Sequence, residues 1–166
     1  MTKKTQTQGT NHKMRPLDKI DRLILDALQK NSRISNVNLA KMVNLSASPC
    51  LDRVKRLEAE GFIERYGAVL SASKLNFGLT AYVEVTLDKS TSDVFDSFAR
   101  DVQGIKQIAE CDMVAGGFDY LLKIRISSMA EYRAVLGEVV DIPGVAKNRT
   151  FVVIEKIKED TGLPIF

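Results

Sequence analysis

The densest chemistry in this sequence is a run of small residues followed by cations: Ser46, Ala47, Ser48 and Pro49, then Arg53, Lys55 and Arg56. Ser46 is a favourable N-cap type, and Pro49 falls in the first helical turn, where a missing N–H costs little. A helix that starts here presents free N–H groups at its end, which favour an anion such as a phosphate. Small side chains at 46 to 48 let that end approach a partner closely. Arg53 is the best candidate for a base or phosphate contact, because a forked guanidinium suits both guanine edges and phosphate oxygens. The competing reading of the same residues is a helical bundle with an ordinary solvated basic face.

Other chemistry is poorly supported. His12 is the only histidine and lies in a polar N-terminal stretch, so it makes no triad with Cys50 or Cys111. Two widely separated cysteines give neither a disulfide framework nor zinc spacing, and Cys50 is expected as a small buried thiol. No Walker loop, dinucleotide fingerprint or HExxH occurs. The sequence therefore offers no catalytic residue, metal ligand or cofactor, and an enzyme is disfavoured. Asp18, Asp21 and Asp26 read as surface charges.

Charge supports a polyanion partner at one end only. Net charge is +3, but residues 1–66 carry 13 Lys/Arg against 7 Asp/Glu, whereas residues 67–166 carry 11 against 14. A basic first part suits DNA. No apolar run approaches the roughly 18 residues of a membrane span. Residues 1–16 read as a disordered tail, and a reduced, cytoplasmic protein is expected.

The elements that would position the basic helix follow from periodicity. Leu17, Ile20, Ile24 and Leu28, widened by Leu25, predict an amphipathic helix from about Leu17 to Lys30 after Pro16. Ser35 caps a short second helix with Val37, Leu39, Ala40 and Val43 as its buried face. Asn44 tolerates the left-handed conformation that a tight turn needs. In the third helix Leu51, Val54 and Leu57 should face inward, and Gly61 should end it. Residues 62–70 alternate weakly, as a short strand or wing would. These three helices predict a helix-turn-helix unit over residues 17–70, with the motif itself from Asn36 to Lys55.

After a linker at 71–78 the period changes. Strands are expected at Leu79–Leu87, Ile105–Ala115, Phe118–Ile126 and Ala146–Ile157, with helices at Ser92–Val102 and Met129–Val140. Gly116-Gly117 reads as a hairpin turn, since glycine is the default residue at positive φ. The order is βαββαβ, a ferredoxin-like module over residues 79–158, followed by a tail at 159–166. The fold class is α+β.

Several segments resemble the Lrp/AsnC transcription regulators: Leu17-Asp18, Ile20-Asp21-Arg22, Arg33-Ile34-Ser35-Asn36-Val37, Asn44-Leu45-Ser46, Ser48-Pro49-Cys50-Leu51, Arg53-Val54, Arg56-Leu57-Glu58, Gly61-Phe62-Ile63, and Gly116 with Phe118-Asp119-Tyr120-Leu121-Leu122-Lys123. The resemblance runs from about residue 17 to 158. It implies a winged or plain helix-turn-helix joined to a βαββαβ module of the RAM type that binds amino acids. It also implies dimers that assemble further, often to octamers, on double-stranded DNA. The ligand pocket it implies lies between modules, near the turn joining the second and third strands. Carried over, its residues are Met113, Gly116, Asp119 and Tyr120, with Thr150, Phe151 and Val153 from the last strand and Met129 as a weaker candidate. Backbone N–H groups at Gly116-Gly117 would hold an amino acid's carboxylate, and Asp119 would pair with its ammonium group. Leucine is the leading effector by this resemblance. An architectural DNA-binding protein without an effector is the alternative. Departures from the family pattern include Asn44 where Gly is common, Asp112 where the pattern has His, and Gly117 where it has an acidic residue.

Overall fold

The computed structural model describes residues 15–159 and 162–165. Residues 1–14, with His12 and most of the expected tail, lie outside the described residues. The chain divides into two compact units. The first holds the described residues up to Ala68 and, from the other end of the chain, residues 162–165. The second holds Val69–Glu159.

Three helices build the first unit: α1 (Lys19–Lys30), α2 (Asn36–Met42) and α3 (Ala47–Ala59). Helix α1 begins two residues later than its apolar stripe, because Asp18 is its N-cap. Asp18 accepts from the Asp21 N–H at 2.8 Å, and Asp21 accepts from the Asp18 N–H at 3.1 Å. This reciprocal box satisfies two otherwise orphaned donors. Ser35 caps α2 as expected, accepting from the Asn38 N–H. The apolar stripes meet in a core that includes Ile24, Leu39, Cys50 and Leu57.

Both helix ends that shape the motif are closed the same way. Asn44 takes φ 56°, the Leu45 N–H reaches back to the Ala40 carbonyl at 2.9 Å, and the Asn44 N–H donates to Lys41. Gly61 takes φ 77°, and the Phe62 N–H returns to the Leu57 carbonyl at 2.9 Å. These are Schellman closures, which need a left-handed residue at each turn. Asn44→Gly should therefore leave stability within a few tenths of a kcal/mol, whereas Asn44→Val should cost about 1–2 kcal/mol. Urea denaturation of the two variants checks this.

Some expectations for this unit fail. Val37 is exposed, because it sits two residues from Leu39, about 200° round a helix of 3.6 residues per turn. Leu51 is also exposed, one step off the line of Cys50, Val54 and Leu57. Residues 62–70 form no strand, and Val69 is fully exposed.

The second unit is a four-stranded antiparallel sheet with two helices. Its elements are β1 (Leu79–Leu87), α4 (Ser92–Asp101), β2 (Ile108–Met113), β3 (Tyr120–Ile126), α5 (Met129–Val140) and β4 (Val145–Val152). The strand order is β2-β3-β1-β4. This is the expected βαββαβ topology. Alternate residues Val83, Val85, Leu122 and Ile124 bury one sheet face, together with Phe98, Val102, Val135 and Val139. Two strands are shorter than the apolar runs. Ile105 is buried at the end of a 3-10 turn, Val102–Gly104, and not in β2. Strand β4 stops at Val152, leaving Ile154 and Ile157 exposed.

Candidate nucleic-acid interface and ligand site

The amino end of α3 is open. Ser46, Ala47, Ser48 and Pro49 are all exposed. Ser46 occupies the N-cap position, yet its hydroxyl makes no capping hydrogen bond. An N-cap side chain accepts from the second or third helical N–H. The third helical residue here is Pro49, which has none. Helix α3 therefore starts with an unused hydroxyl and free backbone donors, a combination suited to an anion. Helix α2 is tied to this end by Asn36, whose Nδ2 donates to the Ala47 carbonyl at 2.8 Å. Sequence reasoning placed Asn36 at the motif's edge and missed this brace.

The three cations of α3 divide. Lys55 is exposed and forms no ion pair among the described residues. Arg53 and Arg56 do not project freely. The Arg53 Nη1 bonds to the carboxylates of Asp18 at 2.6 Å and Asp21 at 2.7 Å. The Arg56 Nη2 lies 2.6 Å from the same Asp21 oxygen, and its Nη1 lies 3.7 Å from Glu60. Asp21 is 0% exposed, so it is no surface charge as its sequence position suggested. Asp18 and Asp26 are both partly exposed; Asp18 pairs with Arg53 across to α3, and Asp26 pairs with Lys30 along the surface of α1. Arg53, expected as a base reader, thus has its Nη1 engaged within the unit. That nitrogen joins α3 to α1, since a buried carboxylate needs a compensating partner. The helical period puts Asp21 on the inward side, one turn before Ile24 and Leu25, but its partners on α3 are visible only in the fold.

The pairing shifts the carboxyls. Hydrogen bonding from Arg53 lowers Asp18 to about 2. At Asp21 burial pulls upward, but the bonds from Arg56, the Asp18 backbone and Arg53 outweigh it and hold the carboxyl below the usual range. Depressed folded values give stability that is present above the unfolded carboxylate value and is lost as pH falls through the folded one. The first unit should therefore loosen as pH falls from 3.8 toward about 2. Circular dichroism of the helices against pH follows the loss, and Asp18→Asn should flatten that part of the curve.

The ligand candidates sit on the second unit. Met113 and Tyr120 close the β2–β3 hairpin opposite each other. Met113 and Gly116 are exposed. Gly116 and Gly117 do not take positive φ, so the turn does not need glycine for its backbone angles. A Cβ on either would meet nothing within 4 Å. Asp119 is already bonded: its Oδ2 accepts from the Leu87 N–H at 2.8 Å, and its own N–H donates to Val85 at 2.9 Å. It pins the end of β1.

Tyr120 belongs to the core. It is 3% exposed, its ring lies 4.5 Å from that of Phe98, and its hydroxyl donates to the Phe95 carbonyl. It is therefore corrected from ligand contact to packing residue. On β4, Thr150 pairs with Val83 and accepts a hydrogen bond from the Tyr132 hydroxyl at 2.7 Å, under the helices. Phe151 pairs with Tyr82 and points to the helix-free face. Neighbouring strand residues point to opposite faces, so these two cannot line one cavity. Val153 lies just past β4, its N–H bonded to Thr80. Met129 is exposed at the start of α5. Strands β2 and β4 are the two edges of the sheet, three spacings or roughly 14 Å apart. The candidate set does not converge within one chain.

Comparison with known proteins matches this architecture. A winged helix-turn-helix DNA-binding family matches residues 17–64, and the Lrp/AsnC ligand binding domain matches residues 80–163. The leucine-responsive regulatory protein of Serratia marcescens is 50% identical over 158 residues, 95% of this chain and 96% of its own. The chain belongs to the Lrp/AsnC family. The protein of the same name from Escherichia coli K12 is also 50% identical, over 150 residues. Among solved structures, a transcriptional regulator of Neisseria meningitidis in complex with L-Met superposes with a TM-score of 0.85 at 37% identity, covering 90% of this chain and 97% of that one. An AsnC family regulator of Agrobacterium tumefaciens gives 0.85 at 30% identity, covering 89% and 97%. The expected family and fold hold, as does the reading of a DNA-binding, amino-acid-responsive transcription regulator rather than an enzyme. Among the described residues no helix is long and apolar enough to cross a membrane, and no cluster of His, Cys, Asp or Glu could hold a metal.

Proposed function

We propose that this Lrp/AsnC chain binds double-stranded DNA through the amino end of α3 and binds a small amino acid on its second unit. The observation that carries the DNA reading is the exposed turn Ser46–Pro49, with its uncapped hydroxyl and free N–H groups. Ser46, Ala47, Ser48 and Lys55 make the contacts. Arg53 and Arg56 act indirectly, by fixing the angle of α3. A lone helix-turn-helix reads a short half-site, so the chain works as a homodimer, and family likeness supports further assembly to an octamer. It acts in the cytoplasm, associated with the nucleoid.

Leucine and methionine are the leading effectors, from the names of the enteric relatives and the L-Met complex of the Neisseria regulator. The site lies at the β2–β3 turn, with Met113, Gly116 and Asp119 from one copy. Thr150, Phe151 and Val153 lie at the far edge of the sheet, so they reach it only from another copy. Asp119 tests this. An Asn there still accepts the Leu87 N–H, so Asp119→Asn removes the charge and keeps the strand end. Calorimetry with L-leucine and L-methionine should show binding to the parent chain and about tenfold or more weaker binding to the variant, with ligand-free operator affinity unchanged. Equal affinities would remove Asp119 from the site. No heat with either amino acid, with operator binding intact, would favour the architectural alternative.

A further inference from the structure

Gln29, at the last turn of α1, makes two bonds to a segment 134 residues away in the sequence. Its Nε2 donates to the Leu163 carbonyl at 2.9 Å, and its Oε1 accepts from the Leu163 N–H at 2.8 Å. A side-chain amide that gives and takes at one residue imitates a neighbouring β-strand. It recognises backbone rather than side chain, and Leu163 is 76% exposed, so its side chain contributes little to the attachment.

The residue before it is fitted to the same contact. Gly162 has φ +90°, which L side chains rarely adopt. A Cβ on it would stand 2.3 Å from Gln29 Cδ and 2.6 Å from Oε1. Gln29 could relieve that overlap only by swinging away, which breaks both bonds. Glycine at 162 and glutamine at 29 thus form one device, and neither residue is required by the helix-turn-helix or by the sheet.

We propose that the end of α1 is a docking site for extended main chain, occupied by the chain's own residues 162–165. The first unit is then built from both ends of the chain, with Val69–Glu159 inserted between them.

Hydrogen exchange on the full chain tests the docking. In the parent, the Leu163 amide should exchange about tenfold slower than an unstructured amide. Gln29→Ala and Gly162→Val should each remove that protection, with α1 and sheet amides unchanged as the folding control. An unprotected Leu163 amide in the parent, or equal protection in Gln29→Ala, overturns the docking.

Discussion

Replacing Asp21 by Ala should destabilise the DNA-binding unit by about 3 kcal/mol, close to the lower range for a broken buried ion pair. Asp21 is fully buried and receives both Arg53 and Arg56. Without it, two guanidiniums face each other over an apolar core, and Asp18 and Glu60 compensate only at the rim. Both arginines are about a quarter exposed, 26% and 22%, so they can turn partly to water. That escape keeps the cost below the upper end of about 5 kcal/mol. A loss of this size is a large share of an ordinary domain's stability of about 5–15 kcal/mol. Urea denaturation should show the helical unit unfolding early and the sheet transition unmoved. Asp26→Asn is the comparison: it breaks only the exposed pair with Lys30 and should change little. If Asp21→Ala shifts the helical transition no more than Asp26→Asn does, the cluster does not join α1 to α3.

The second large effect separates folding from binding. Ser48→Glu places a carboxylate in the first turn of α3, where the helix dipole favours it by about 0.3–1 kcal/mol. The unit should be as stable as the parent or slightly more so. The same charge faces the phosphates if this turn enters the groove, and like charges across an interface cost several kcal/mol. Operator affinity should fall on the order of 100-fold. Gel shifts at fixed salt beside thermal melts of the same samples measure both quantities. A variant that melts normally and binds DNA as tightly as the parent would take the amino end of α3 out of the interface.

What the sequence by itself determined is whatever depends on local periodicity and on residues with narrow conformational preferences. The stripe from Leu17 to Leu28 and the alternation Ala81, Val83, Val85, Leu87 placed a helix and a strand, because burial on one side forces those repeats. Asn44 and Gly61 marked the helix ends, because few residues tolerate a left-handed turn. The family was legible too, in the segments around Ser48-Pro49-Cys50 and Phe118–Lys123. The tertiary structure alone decided which charged groups are spent. Asp21, Arg53 and Arg56 look like solvated charges in the sequence, since ion pairing joins residues more than thirty positions apart and leaves no period. It alone also decided how the ligand candidates are distributed. Strand order puts β2 and β4 at opposite edges, and pairing turns Thr150 and Phe151 to opposite faces, so residues grouped by likeness are separated in space. The Gln29–Leu163 clasp was equally hidden, because one side-chain amide and one glycine carry no pattern until the fold brings them together.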